Sequence, residues 1–221
     1  MPLVLAGLIL SFLVMLLFGG TEIDRGLLLL FGGLEAPWLR PVANLIVGGA
    51  YPTPLLAAII AGAFYLFARS RWRDALLLLA VTLGGRLLID GVQELTHGLR
   101  PVVDERLLAS QQPGYPSGHA ANATVTALAL AFLTTRHYPA RPAALALAAA
   151  FALGAGAGRL IQGASWPSDV IGGWALGLAW TLLLLRLAGT DLGDGTARPL
   201  RHSLPKGEED GKPQDRDRPP E

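Results

Sequence analysis

The chain has 221 residues, 52% of them hydrophobic and only 16% charged, with a mean hydropathy of +0.43. Apolar residues at that level, gathered in long blocks, exclude an ordinary soluble domain and predict a membrane protein. A net charge of +1 without interleaved basic and aromatic residues argues against a nucleic-acid partner, and the absence of cysteine removes disulfide and thiolate chemistry.

A helix crossing the hydrocarbon needs roughly 20 mostly apolar residues. Six stretches approach that length, at about 2–18, 51–68, 74–96, 120–135, 143–161 and 170–187. The expectation is an all-α, integral-membrane six-helix bundle over residues 1–187, followed by a disordered tail over 188–221 that is rich in Gly, Pro and charged residues. The first stretch carries no Lys or Arg ahead of it, and Phe18-Gly19-Gly20-Thr21 is a poor cleavage site, so it reads as a retained helix and not as a signal peptide.

Between the first two stretches, Thr21 to Gly49 is apolar but interrupted by Glu22, Asp24, Arg25, Glu35 and Arg40, with Pro37 and Pro41 as breakers. Charge at that density predicts one or two short helices lying at the interface. Arg69, Arg71 and Arg73, then Arg136 and Arg141, then Arg186 all fall on one side of the six spans. Cations are retained in the cytoplasm, so both termini are expected there, in a bacterial-type plasma membrane.

Three polar islands remain for the opposite, extracytoplasmic side. In "QELTHGLRPVVDE", Gln93 and Arg100 are two helical turns apart and share a face, which Pro101 ends. An interfacial Arg reaching for water is the plainer reading. In "GYPSGHAANAT", Pro116 and Ser117 lead into a helix, Gly118 permits close backbone approach, and His119 occupies the first turn. Such an end suits an anion, although a Ser-capped helix beside an incidental His has the same pattern. In "GRLIQGASWPSDVIGGW", Arg159 leaves one span and Pro167-Ser168-Asp169 opens the next, with Ser168 or Asp169 as an ordinary cap in the plainer reading. All three islands fall on the same side, as fixed by cations that belong to none of them. Two guanidiniums, a helix N-terminus and a His converging at one surface describe a phosphate site, with Arg as bidentate donor and His119 as a proton donor.

These residues resemble the type 2 phosphatidic acid phosphatase superfamily, integral-membrane lipid phosphatases related to vanadium haloperoxidases. The family carries Lys, six residues, Arg-Pro; then Pro-Ser-Gly-His; then Ser-Arg, five residues, His, three residues, Asp. Here the matching residues are Arg100-Pro101, then Pro116-Ser117-Gly118-His119, then Arg159 and Asp169 ten apart. The resemblance implies attack on phosphorus by the third-motif His, oriented by the Asp, with the second-motif His as general acid and no metal or other cofactor. Carried over, His119 is the general acid, Asp169 the orienting carboxylate, and Arg100, Arg159, Ser117 and Gly118 the phosphate ligands.

Three positions depart from the pattern. The family Lys falls on Gln93, the Ser before Arg on Gly158, and the nucleophilic His on Ser165. A serine hydroxyl needs an adjacent base or metal to act as a nucleophile. His97, one turn before Arg100, replaces part of the lost Lys charge when protonated.

Two functions follow from the resemblance. One is a phosphatase acting on a phosphorylated membrane lipid of the phosphatidate, phosphatidylglycerophosphate or undecaprenyl phosphate type. The other is a catalytically impaired binder or carrier of the same lipids. A transporter would want charges at mid-membrane, and the candidates, Arg86 and Asp90, are four apart and so able to pair with each other.

Overall fold

A computed structural model describes residues 1–34, 36–96 and 114–190; the expected tail lies almost wholly outside them. The described residues belong to one compact unit, Met1–Asp191. They form eight α-helices and no strand: α1 Pro2–Phe18, α2 Glu22–Gly32, α3 Leu39–Gly49, α4 Pro52–Ala68, α5 Trp72–Leu95, α6 Gly118–Thr135, α7 Arg141–Ile161 and α8 Pro167–Leu187. Each of the six long apolar stretches is a helix within a few residues of its expected bounds. Proline marks the starts of α1, α4, α7 and α8, where its missing N–H costs nothing.

By length and composition α5, α7 and α8 are able to cross a bilayer. The bent pairs α1–α2 and α3–α4, which turn by 95° and 51°, bring that number to as many as five. The sharper bend falls at Gly20, whose φ of 78° is open to glycine at little cost. α6 is not among these helices for a structural reason. It packs on α4, α5, α7 and α8 at once and buries half its length, from Ala120 to Leu133. A helix wrapped by other helices has no need of a lipid-facing apolar surface.

What brings the helices so close is the choice of small residues at the contacts, since lipid tails supply no hydrophobic drive between membrane helices. A Cβ on Gly173 would stand 2.7 Å from the Ser117 carbonyl oxygen, and one on Gly177 2.8 Å from that of Ala121. On Gly172 it would run into Tyr115, 2.4 Å from the hydroxyl and 2.5 Å from the ring. Elsewhere, Gly84 and Gly85 accept the Trp180 indole, which donates to Val81 O at 2.8 Å, and Gly156 accepts Trp174, which donates to Ala152 O at 2.9 Å.

Arg71 donates to Leu133 O at 2.5 Å, Arg136 pairs with Asp74 at 2.8 Å, and Arg69 donates to Tyr138 at 3.3 Å. The two loop cation clusters therefore share one end of the bundle, and the starts of α6 and α8 lie at the other. Arg86 and Asp90 pair at 3.1 Å, as their spacing predicts.

Replacing Gly173 with Ala should lower stability by about 1–3 kcal/mol, because two backbones would have to separate. Gly7→Ala, where nothing lies within 4 Å, should be neutral or slightly stabilising. Thermal melts of the two variants in one detergent check the contrast, and equal melting temperatures would refute the role of the contact.

Candidate phosphate site

Two helix starts and one helix end build the site. The α6 start is held by backbone: Ser117 N donates to Asp169 O at 2.9 Å, across from the first turn of α8. Gln93, from α5, donates to Pro116 O at 2.8 Å, and its amide nitrogen lies 3.1 Å from where a Cβ on Gly118 would stand. Gly118 thus lets Gln93 approach closely, and a methyl group there would press on its amide. The residue standing in for the family Lys fastens the loop that leads into α6.

Ser117 occupies the N-cap position but makes no side-chain capping bond. Its Oγ instead lies 3.3 Å from Ser165 Oγ, which in turn accepts from Arg159 Nε at 3.4 Å. Arg159 is drawn inward at the end of α7, is only 8% exposed, and also donates from Nη2 to Ala164 O at 2.7 Å. The result is a buried row of guanidinium, hydroxyl and hydroxyl. Among the described residues, neither hydrogen-bond neighbour of Ser165 Oγ is a base, since one is a guanidinium that stays protonated and the other an alcohol.

His119 lies one residue into α6. Its ring meets Tyr51 edge-on, with centroids 5.1 Å apart and planes at 82°. Its Nε2 is buried and has no hydrogen-bond partner among the described residues. Asp169 is buried in the first turn of α8. The structure thus brings Ser117, Gly118, His119, Arg159, Ser165, Asp169 and Gln93 to one end of the bundle. His97 and Arg100 lie outside the described residues. Among the described residues, no three His, Cys, Asp or Glu side chains are grouped to hold a metal ion.

Asp24 is a part of this region that sequence reasoning placed at the interface. It is fully buried. Its carboxylate accepts from Ser168 N at 2.9 Å, from Ser168 Oγ at 2.7 Å and from Gly20 N at 3.0 Å. Neither Ser168 nor Asp169 caps α8, because the cap position is Trp166 and has no side-chain bond. Asp24 supplies the acceptor from α2 instead, where a negative charge meets the positive end of the helix dipole. The local signal, Thr21 three residues before Asp24, announces a helix start, and Thr21 does accept from Asp24 N at 3.3 Å. Nothing local announces Ser168, 144 residues away.

Asp24→Ala strands two N–H groups and a hydroxyl in the interior and should cost about 3 kcal/mol. Asp24→Asn keeps one acceptor oxygen and should cost about 1 kcal/mol less. Melting temperatures ordered native, Asn, Ala would bear this out, whereas three equal values would remove Asp24 from the account.

Residues 75–191 match the family model described as PAP2 superfamily. Phosphatidylglycerophosphatase B of Bacillus subtilis (strain 168) is 31% identical over 165 residues, 72% of this chain and 78% of that protein. The crystal structure of a transmembrane PAP2 type phosphatidylglycerolphosphate phosphatase from Bacillus subtilis superposes with a TM-score of 0.71 at 27% identity, covering 84% of this chain and 96% of that one. The matched segment begins in α5 and runs through α8, and it holds every site residue named above except Asp24 and Tyr51; the chain belongs to the PAP2 superfamily, as a membrane-embedded, phosphatase-like member.

Proposed function

We propose that the protein holds the phosphorylated headgroup of a membrane lipid, of the phosphatidate, phosphatidylglycerophosphate or undecaprenyl phosphate type, at the extracytoplasmic face, and hydrolyses it slowly or not at all. The observation that carries this reading is the buried row Arg159–Ser165–Ser117 beside His119, whose Nε2 is without a protein partner among the described residues. Arg159 offers charge-assisted donors, Ser117 and Ser165 offer hydroxyls, and the α6 start adds free backbone N–H groups to a tetrahedral anion. Arg100 and His97 complete the set on the same reading. The loop cations at the far end of the bundle support an orientation with that end and both termini in the cytoplasm. Six spans, with α2 and α3 as short helices beside them, suit this arrangement.

Impaired turnover follows from Ser165. In the family reaction an imidazole nitrogen attacks phosphorus, and its lone pair needs no deprotonation. A hydroxyl must lose its proton as it attacks, and Ser165 faces a guanidinium and another alcohol. On this reading His119 remains the candidate proton donor to a leaving alkoxide. The relatives named as phosphatases favour a second reading, residual hydrolysis with Ser165 or water as nucleophile.

Phosphate release from a panel of lipid phosphates separates the two. The native chain should release almost none, and Ser165→His should raise the rate by at least about a hundredfold, given what nucleophile removal costs in enzymes generally. Rapid release by the native chain that His119→Ala abolishes would overturn the impaired reading. Binding is tested apart from turnover. A short-chain phosphatidate should bind where its diacylglycerol does not, and Arg159→Ala should weaken it by about 10–100-fold. Equal affinity for the two lipids would overturn the phosphate site itself.

A further inference from the structure

Two loops meet at the end of the bundle away from the phosphate site, and each is fixed by its own backbone. α4 closes on Ser70, whose φ of 58° lets Arg71 N reach Leu66 O at 2.9 Å, an arrangement that ends many helices. The turn between α6 and α7 is held by Tyr138 N on Thr135 O at 2.8 Å and by Arg141 N on Tyr138 O at 3.2 Å. Asp74 joins the two loops, accepting from Arg71 on one oxygen and from Arg136 on the other, both at 2.8 Å.

Two further cations lie over aromatic rings, Arg73 over Trp72 at 5.3 Å and Arg141 over Phe132 at 4.6 Å. Arg69 is placed differently. Its Nη2 donates to Tyr138 Oη at 3.3 Å, and that oxygen lies 3.3 Å from Oη of Tyr65, one turn before Arg69 on α4. Arg69 is exposed, and each Tyr is 40% exposed. The two phenols share one bond, so whichever hydroxyl donates, the other keeps its proton for an outside acceptor. A guanidinium has five N–H donors, and among the described residues Arg69 engages one of them. The row therefore gathers donors from two loops and lacks a matching anion. Asp74, the carboxylate at this end among the described residues, is taken up by Arg71 and Arg136. Burial, with the charges of Arg136 and Arg71, holds His137 below the usual imidazole range, so it is neutral at pH 7. With Arg186 at the end of α8, six arginines still stand against that one acid.

We infer that Arg69, Tyr138 and Tyr65 form a second anion site, which takes the phosphodiester of an anionic membrane lipid in the leaflet on that side. A phosphate offers several acceptor oxygens to a guanidinium fork and a phenol at once. Tyr side chains at the end of a spanning helix sit at headgroup level, which is where lipid phosphates lie. The excess of arginines selects a lipid with net negative charge. Phe64 and Phe67, in the same stretch of α4, are 73% and 68% exposed, and they give acyl chains an apolar surface that a free anion would not use. This site is separate from the phosphate site and does not depend on what that site binds.

The full chain in detergent, offered equal amounts of phosphatidylglycerol and phosphatidylcholine with the same acyl chains, reports its choice as lipid retained in native mass spectrometry. The native chain should favour phosphatidylglycerol by about tenfold. Arg69→Gln and Tyr138→Phe should each lower that ratio, and together they should bring it close to one. Arg69→Lys keeps the charge without the fork and should regain part of the ratio, which also shows that the loss in Arg69→Gln is not a loss of folding. Arg159→Ala, at the opposite end, should leave the ratio as it is. Equal retention of the two lipids by the native chain would overturn the inference, as would a ratio unchanged in Arg69→Gln. A ratio lost in Arg159→Ala and kept in Arg69→Gln would assign the preference to the phosphate site. Displacement of the bound lipid by millimolar inorganic phosphate would assign the row to a free anion, and either result overturns the lipid site.

Discussion

The site depends on how closely two helix backbones approach. Where α6 and α8 cross, the Ser117 and Ala121 carbonyls lie against Gly173 and Gly177 with no room for a side chain between them, and Ser117 N reaches Asp169 O. A methyl group at either glycine would part the helices. The separation would be felt first at their shared end, where the Ser117 and Ser165 hydroxyls meet at 3.3 Å. Tyr115 adds a wedge to the same joint: its ring covers Gly172, and its hydroxyl donates to Phe12 O, tying α1 to the loop before α6.

Long apolar blocks with Pro or Ser at their edges made the helices legible in the sequence, because a lipid solvent rewards continuous apolar length and proline marks helix starts. Motif spacing made Ser117, His119, Arg159, Ser165 and Asp169 legible as a group, and they do meet at one end of the bundle. What stayed hidden was long-range. Asp24 resembles an interfacial charge until α1 and α2 fold back over α8, and only then does its carboxylate find Ser168. Tyr51 opens α4 as the residue before a proline, and no pattern there predicts an aromatic edge against His119. Gln93 is the position on which the family Lys falls, and its bond to Pro116 O gives it a separate task in holding the loop.

On the proposed reading, the site combines binding groups kept in place with an attacking group exchanged. Arg159 and His119 hold positions useful to a phosphate, whereas the residue between Arg159 and Asp169 that should attack is a buried hydroxyl beside a cation. Affinity and turnover draw on different atoms here, since charge and donors hold the anion while a basic nitrogen is needed to displace its ester. On the proposed reading, the change at Ser165 touches turnover more than affinity.

The wrapped position of α6 has a consequence for how the chain enters the bilayer. α5, α7 and α8 are each long and apolar enough to cross a bilayer, but α6 opens with Gly118-His119-Ala120-Ala121-Asn122 and buries Ala120, Ala121, Ala123, Thr124, Thr126 and Ala129 against other helices. Its insertion is therefore coupled to neighbours that screen those polar groups. The helix that carries His119 depends on its neighbours to shelter its polar start, and the site is complete only where those helices surround it.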